Sequence, residues 1–307
     1  MVASANLGLS GQKFNRRFRL PTRCLALALA GVLPLLVSCA PDQGGGPVAP
    51  PTGPSLIVFG SPDVANTYSN VAAVIARAPN GRFTPFCSAT LIEPTVVLTA
   101  AHCVAFFEIE LAPLGYTLYV SFRNVIAYGA QADAATIASL IPVTDAIANP
   151  NFSQRQSDPG DLGLLILPNV PAGITPATLP AAGLLDQLSD QNGLKGRTFT
   201  VAGYGVQDRV VGGGPPFFID VNPLPRGFAF ESFMALNKGY LRLSQNPSTG
   251  DGGACYGDSG GPNFLSVNGQ LVLVAVTITG DTPCRATNVA YRLDTESAQT
   301  FLNTFLP

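Results

Sequence analysis

The sequence predicts an all-β protein, and three observations carry that expectation. From Leu56 onward, short runs of β-branched and aromatic residues are separated by Gly, Pro, Asn and Asp, the pattern of many short strands joined by turns. Asn263–Val267, Asn268-Gly269 and Gln270–Ile278 read as two strands joined by a tight Asn-Gly turn. The C-terminal stretch has helical spacing, with Ala298, Phe301, Leu302 and Phe305 on one face and Asp294 or Thr295 as the cap, and reads as a helix closing the β-rich chain. The roughly 250 residues after the front of the chain suit one large all-β unit or two small barrels.

The front is set apart by composition. Lys13, Arg16, Arg17, Arg19 and Arg23 form a basic start, and no acidic residue precedes Asp42. Cys24 to Val37 is apolar but short for a membrane span, so residues 1–38 read as a targeting segment and are excluded from the fold. The stretch ends in Leu36-Val37-Ser38-Cys39, which resembles the bacterial lipobox and implies lipidation at Cys39; the alternative is an ordinary secretory signal. Ala40 to Ser55 holds five prolines and four glycines, so residues 39–55 form a linker that cannot bury a core. The expected location is therefore outside the cytoplasm, as a bacterial cell-envelope lipoprotein or a secreted protein. Of the 17 basic residues, 12 remain beyond residue 38 against 19 acidic ones, about −7. No basic patch is visible, which argues against nucleic acid as a partner. Membrane association is expected only through an anchor at Cys39, and the domain at 56–307 is expected to be a monomer.

Within that domain, Ser88 to Thr99 reads as strand, Glu93-Pro94 turn and strand, delivering His102 to the end of a rigid element. Phe106-Phe107 and Tyr116 to Phe122 read as further strands, whereas Asp133 to Ile147 is ambiguous. Pro168 to Leu194, rich in Ala, Pro and Gly, reads as a crossing. Gln207 to Lys238, with Gly212-Gly213-Gly214-Pro215-Pro216, reads as surface loops.

Chemistry gathers around Cys255-Tyr256-Gly257-Asp258-Ser259-Gly260-Gly261-Pro262. A serine that attacks a carbonyl needs an exposed hydroxyl and backbone N–H groups aimed at the oxyanion. Glycines on both sides of Ser259 let the backbone turn tightly around it, although a glycine-rich surface turn would share that composition. The base has one candidate, because His102 is the single histidine. Thr99-Ala100-Ala101-His102-Cys103 followed by Gly257-Asp258-Ser259-Gly260-Gly261-Pro262 resembles the trypsin/chymotrypsin-like serine peptidases, in an exported bacterial form. The resemblance runs from about Ile57 to the C-terminus.

That resemblance implies two antiparallel six-stranded Greek-key barrels and a C-terminal helix, with the crossing at about 168–198. Thr200 to Gly205 resembles the segment that opens the second barrel. Disulfides Cys87–Cys103 and Cys255–Cys284 are implied likewise. Candidates for the residue that orients the imidazole are Asp133, Asp145, Asp158, Asp161, Asp186 and Asp190. Gly160-Asp161-Leu162-Gly163-Leu164-Leu165 resembles the family's aspartate-led strand and selects Asp161, with Asp158 in reserve. Ile57-Val58-Phe59-Gly60 is similar to the start of the mature family domain. No Arg or Lys precedes Ile57 and Phe59 stands where glycine is expected, so trypsin-type activation is doubtful and Asp258 needs another partner.

The implied activity is serine endopeptidase hydrolysis of protein or peptide substrates. Ser259 is the nucleophile, His102 the base, and the Gly257 and Ser259 amides form the oxyanion hole. No metal or cofactor is implied. Gly253, Ala254, Gly280 and Asn288 fall at the specificity pocket. Gly253 puts no charge at its base, which points to a small to medium, uncharged P1 side chain, with Asp251 the nearby complication. A catalytically silent relative acting as a cell-surface binding lipoprotein is the competing class. An esterase would more naturally show a G-x-S-x-G elbow.

Overall fold

The computed structural model describes residues 57–153, 157–206, 208–210, 217–219 and 221–306. The expectations for residues 1–56, Cys39 lipidation among them, and for Gly212 to Pro216 lie outside the described residues. No helix among those described is long and apolar enough to cross a membrane.

The first sheet has seven strands: β1 (Val71–Arg77), β2 (Phe83–Glu93), β3 (Val96–Thr99), β4 (Thr117–Ser121), β5 (Ile141–Pro142), β6 (Asp145–Ala148) and β7 (Gly163–Ile166). They lie in the order β5-β4-β1-β2-β3-β7-β6, and every pairing is antiparallel. The sheet curls until one segment serves both edges. Val143 N donates to Leu118 O on β4 at 3.0 Å, and its neighbour Thr144 N donates to Ile166 O on β7 at 2.8 Å. Val71 to Ala76 are buried on both strand faces, because the inner face fills the barrel and the outer face is covered.

The second sheet's barrel strands are β8 (Thr198–Gly203), β9 (Gly227–Leu236), β10 (Tyr240–Ser244), β11 (Pro262–Val267), β12 (Gln270–Gly280) and β13 (Thr287–Arg292), and the short strand Ser61–Pro62 adds to the start of β9. The order is β9-β8-β11-β12-β13-β10, and β10 pairs back onto β9 to close a six-stranded barrel. The Asn-Gly hairpin stands as expected, with Val267 opposite Gln270 and both Asn268 and Gly269 at positive φ. Phe199, Leu241, Leu243, Leu265, Val274 and Ala290 fill this barrel. The apolar cluster of the first barrel continues through Phe264, Val276 and Tyr291 to the terminal helix. That helix, Glu296–Leu302, is capped by Thr295 Oγ1, which accepts from Ala298 N at 3.2 Å.

Two expectations are corrected. Phe106 and Phe107 are helical, not strand: α1 (Ala101–Phe106) runs on into a π-helical turn at Phe107–Leu111. The Phe106 ring stays 45% exposed and rests on Phe86, so it is not a barrel residue. Gln207 to Lys238 is also not all loop, since it contains the ten-residue β9. Its alternation is inverted: Ala229 and Glu231 point inward, whereas Phe230 is exposed. An aromatic-out strand does not announce itself as a barrel strand. The 168–198 crossing likewise carries a helix, α2 (Leu184–Asp190), whose Leu185 enters the second core.

Both disulfides form, Cys87–Cys103 and Cys255–Cys284. The first spans 16 residues, and closing a loop of that size stabilises the fold by roughly 3 kcal/mol in the chain-entropy model. A Cys87→Ser, Cys103→Ser double variant is expected to lose about that much in denaturant unfolding. An unchanged midpoint would refute the account.

Candidate active site

The β3–β7 ladder brings His102 and Asp161 together. Thr99 pairs with Gly163, so residues just beyond each strand meet at one end of the ladder. Gly163 must lack a side chain, because a Cβ there would stand 2.8 Å from Val104 and 3.0 Å from Ala100 O, against the helix that carries His102. Asp161 Oδ2 meets His102 Nδ1 at 2.9 Å, while Oδ1 accepts the His102 backbone N–H at 2.9 Å. One carboxylate thus accepts an N–H of the first turn of α1 and fixes the orientation of the ring through Nδ1, leaving Nε2 as the other ring nitrogen. Asp161 is buried and the His102 side chain is 33% exposed, so the pair lies at the floor of an open surface.

The serine loop is held against β2, the strand that pairs with β3. Ser88 on β2 donates its N–H to Ser259 O at 2.8 Å. Its hydroxyl donates to Gly257 O at 3.0 Å and accepts from Tyr204 N at 2.9 Å. Cys103 Sγ lies 3.6 Å from Ser259 O. Gly260 N donates to Thr277 O at 2.8 Å, fixing the far side of the loop. Among the described residues, no acceptor faces the Gly257 or Ser259 amide and no partner engages the Ser259 hydroxyl. The arrangement can therefore offer two amides to an anionic oxygen. Ser88 escaped the sequence reading, because nothing in Cys87-Ser88-Ala89-Thr90 distinguishes it from an ordinary strand serine.

Asp258 is fully buried beneath the loop. Its Oδ1 accepts from Gly205 N at 2.8 Å and its Oδ2 from Cys255 N at 2.9 Å. Burial pushes this carboxyl up to about 7, against the pull of those two amides. The segment after Ile57 is packed nearby: Ile57 is buried with Val201, Ala229 and Ala254, and Gly253 N donates to Val58 O at 2.8 Å. Farther along, Asp63 forms a fully buried ion pair with Arg226 at 2.9 Å. Arg226 also donates to Val71 O, Phe122 O and the Tyr204 hydroxyl, tying the entering segment to both sheets.

Beside Ser259 lies a cavity of about 310 Å³, walled by Ala254, Thr277, Ile278, Gly280, Asp281 and the Cys255–Cys284 bridge. Of the four predicted pocket residues, Ala254 and Gly280 line it, and Gly253 and Asn288 are buried directly behind. Asp251 turns elsewhere, accepting from the hydroxyls of Ser232, Ser244 and Thr249. Burial would raise the Asp281 carboxyl, but the amides of Thr287, Arg285 and Ala286 and the Gln245 side chain hold it below the usual range.

The other aspartates have separate occupations. Asp158 accepts from Tyr291 at 2.5 Å and Ser297 at 2.6 Å, on the side of the terminal helix, and is not beside His102. Asp133 caps the short helix Ala134–Ala138 and Asp186 pairs with Arg292. Asp145 begins the edge strand β6, and Asp190 ends α2. Cys87, His102 and Cys103 come close enough to suggest metal ligands, but both sulfurs are committed to the disulfide.

One closed barrel, one curled barrel sheet and a short terminal helix, together with the His102–Asp161 pair and the glycine-lined serine loop, define the chymotrypsin-like serine peptidase class. The chain belongs to the trypsin family: the family model described as Trypsin matches residues 57–301. Vitamin K-dependent protein C of Rattus norvegicus is 29% identical over 207 residues, which are 64% of this chain and 40% of that protein. The chain thus spans well under half the length of that relative. Membership of a serine-endopeptidase family and two disulfides mark an extracellular type of protein.

Proposed function

We propose that the chain is a serine endopeptidase that cleaves peptide bonds through an acyl-enzyme. His102 takes the proton of Ser259 Oγ as the oxygen attacks the carbonyl, then returns it to the leaving amine. Asp161 holds the ring in the tautomer with Nδ1–H and stabilises the imidazolium. The Gly257 and Ser259 amides receive the oxyanion. The observation that carries this reading is the double hydrogen bond of Asp161 to His102, whose neighbour Cys103 is bridged to Cys87, the residue next to the Ser88 that holds the Ser259 loop.

The cavity beside Ser259 is the P1 pocket in this reading. Ala254, Ile278 and Gly280 offer it no charge, and the Asp281 carboxylate is taken up by backbone amides, so a small to medium uncharged P1 side chain fits. Substrates are proteins or peptides, nucleic acid is not a partner, and the working unit is a monomer.

The test is mass spectrometry of a chain beginning at Ala40 after treatment with a fluorophosphonate, beside its His102→Ala variant. One adduct on Ser259, lost in the variant, is the expected result. No adduct would leave the silent binding-lipoprotein reading standing. In the full chain, residues 1–38 direct export, 39–55 form a tether and 56–307 the peptidase domain. Cys39→Ala is expected to shift the protein from the membrane to the soluble fraction, and equal membrane retention of both forms would rule out the anchor.

A further inference from the structure

Glu231 points inward from β9 and is completely buried beneath the P1 pocket. Its Oε2 accepts from Asn288 Nδ2 at 2.9 Å, and the carboxyl also receives the amide of Ala254, a residue of the pocket wall. Its Oε1 has no hydrogen-bond partner, and neither does Gln245 Oε1. Gly253 shows where those two oxygens meet. A Cβ on residue 253 would stand 2.2 Å from Gln245 Oε1 and 2.7 Å from Glu231 Oε1. Two acceptors therefore converge behind the glycine at the pocket base.

The amide orientations are fixed by their other bonds. Gln245 Nε2 donates to Asp281 Oδ1 at 3.1 Å, and Asn288 Nδ2 donates to Asn263 Oδ1 as well as to Glu231. Rotating the Gln245 amide would turn its oxygen onto the Asp281 carboxylate. Two acceptor oxygens cannot satisfy each other, whereas a proton on Glu231 Oε1 would turn one of the two into a donor on the side where Gln245 Oε1 lies. Burial favours that proton, raising Glu231 to about 8. The groups that face it work in the same direction: Asp258 and Asp251 from the serine loop are both acidic. Asn288 on β13 stabilises the ionised form, Gln245 beyond β10 is neutral, and β8 contributes no titratable side chain.

We propose that Glu231 is a specificity-determining residue: as a neutral acid behind Gly253 it leaves the pocket floor uncharged, and as a carboxylate it makes that floor attract a cationic P1 side chain. The change is the loss of one proton from Oε1 to solvent. The proposal rests on the reading of the cavity as the P1 pocket, and it extends the uncharged preference by giving it a pH range.

The test is binding rather than turnover, so it is separate from whether Ser259 is reactive. Calorimetric affinities of benzamidine, a cation, and benzamide, its neutral counterpart, are compared from about pH 6 to about pH 9.5. The ratio is expected to rise by about tenfold, with its midpoint near the Glu231 value of about 8. Glu231→Gln should remove the rise. Asn288→Ala, which takes away the donor to the carboxylate, should move the midpoint to higher pH and serves if the first variant does not fold. A flat ratio, a rise that survives Glu231→Gln, or no binding of either compound at any pH would overturn the proposal. Failure of the fluorophosphonate experiment alongside a normal rise would count against the peptidase and not against Glu231.

Discussion

Asp161→Asn is expected to lower kcat by about 10⁴-fold while leaving the fold intact, as loss of the tautomer-setting carboxylate does in such triads. The reason lies in the two donors that Asp161 serves. His102 N–H and His102 Nδ1–H each meet one of its oxygens at 2.9 Å. A side-chain amide has a single acceptor oxygen, so one of those donors must face an NH₂ group. If the helix keeps the oxygen, the ring is driven to the tautomer that cannot accept the Ser259 proton. If the ring keeps it, the first turn of α1 loses that acceptor. Circular dichroism and substrate turnover together check this. A variant with nearly full activity would remove Asp161 from the proposed triad, and Asp158, hydrogen-bonded to Tyr291 and Ser297, could not replace it without leaving those partners.

Asp63→Ala should be the most damaging single change to stability, by about 3–5 kcal/mol, because it leaves a buried guanidinium without its counter-charge. Arg226 and Asp63 are both fully buried in side chain, and Asp63 also accepts from Thr67 N at 2.7 Å and Tyr68 N at 3.0 Å. An Asp63→Ala, Arg226→Met double variant should recover much of the loss, since it removes both charges rather than one. Denaturant unfolding of the three proteins decides the matter. A loss below about 1 kcal/mol in the single variant would mean that Arg226 is satisfied by its remaining acceptors, Val71 O, Phe122 O, the Tyr204 hydroxyl and Asn66 Oδ1.

Features that depend on neighbours in sequence were legible before the structure. The Asn268-Gly269 hairpin needs only two residues that tolerate positive φ, and the terminal helix needs only its cap and its apolar spacing. The conjunction of His102 and Asp161 was legible through resemblance, and the Thr99–Gly163 register supplies its physical reason. What escaped depends on partners far along the chain. β9 presents Phe230 to solvent and Glu231 to the interior, the reverse of the usual pattern, because Asn288 and the Ala254 amide lie inside to meet the carboxyl. Arg226 looks like a surface cation until Asp63, 163 residues earlier, is placed against it. Phe106 followed strand composition, but the helix begun at Ala101 continues through it.

Cys87 and Ser88 are adjacent on β2, and they serve different halves of the site. Cys87 is bonded to the residue after His102, and Ser88 holds the carbonyl of Ser259. His102 and Ser259, the proposed base and nucleophile, therefore share one reference point, a single peptide unit in the first sheet, rather than each being surveyed from its own barrel. Breathing of one barrel against the other has to break the Ser88 contacts before it can spread the pair apart. Such an assembly behaves as a latch with one pin: alignment persists through small excursions, then is lost in one step when the serine loop leaves β2. Heating should accordingly abolish the proposed peptidase activity abruptly at the temperature where that contact opens, instead of eroding it by degrees.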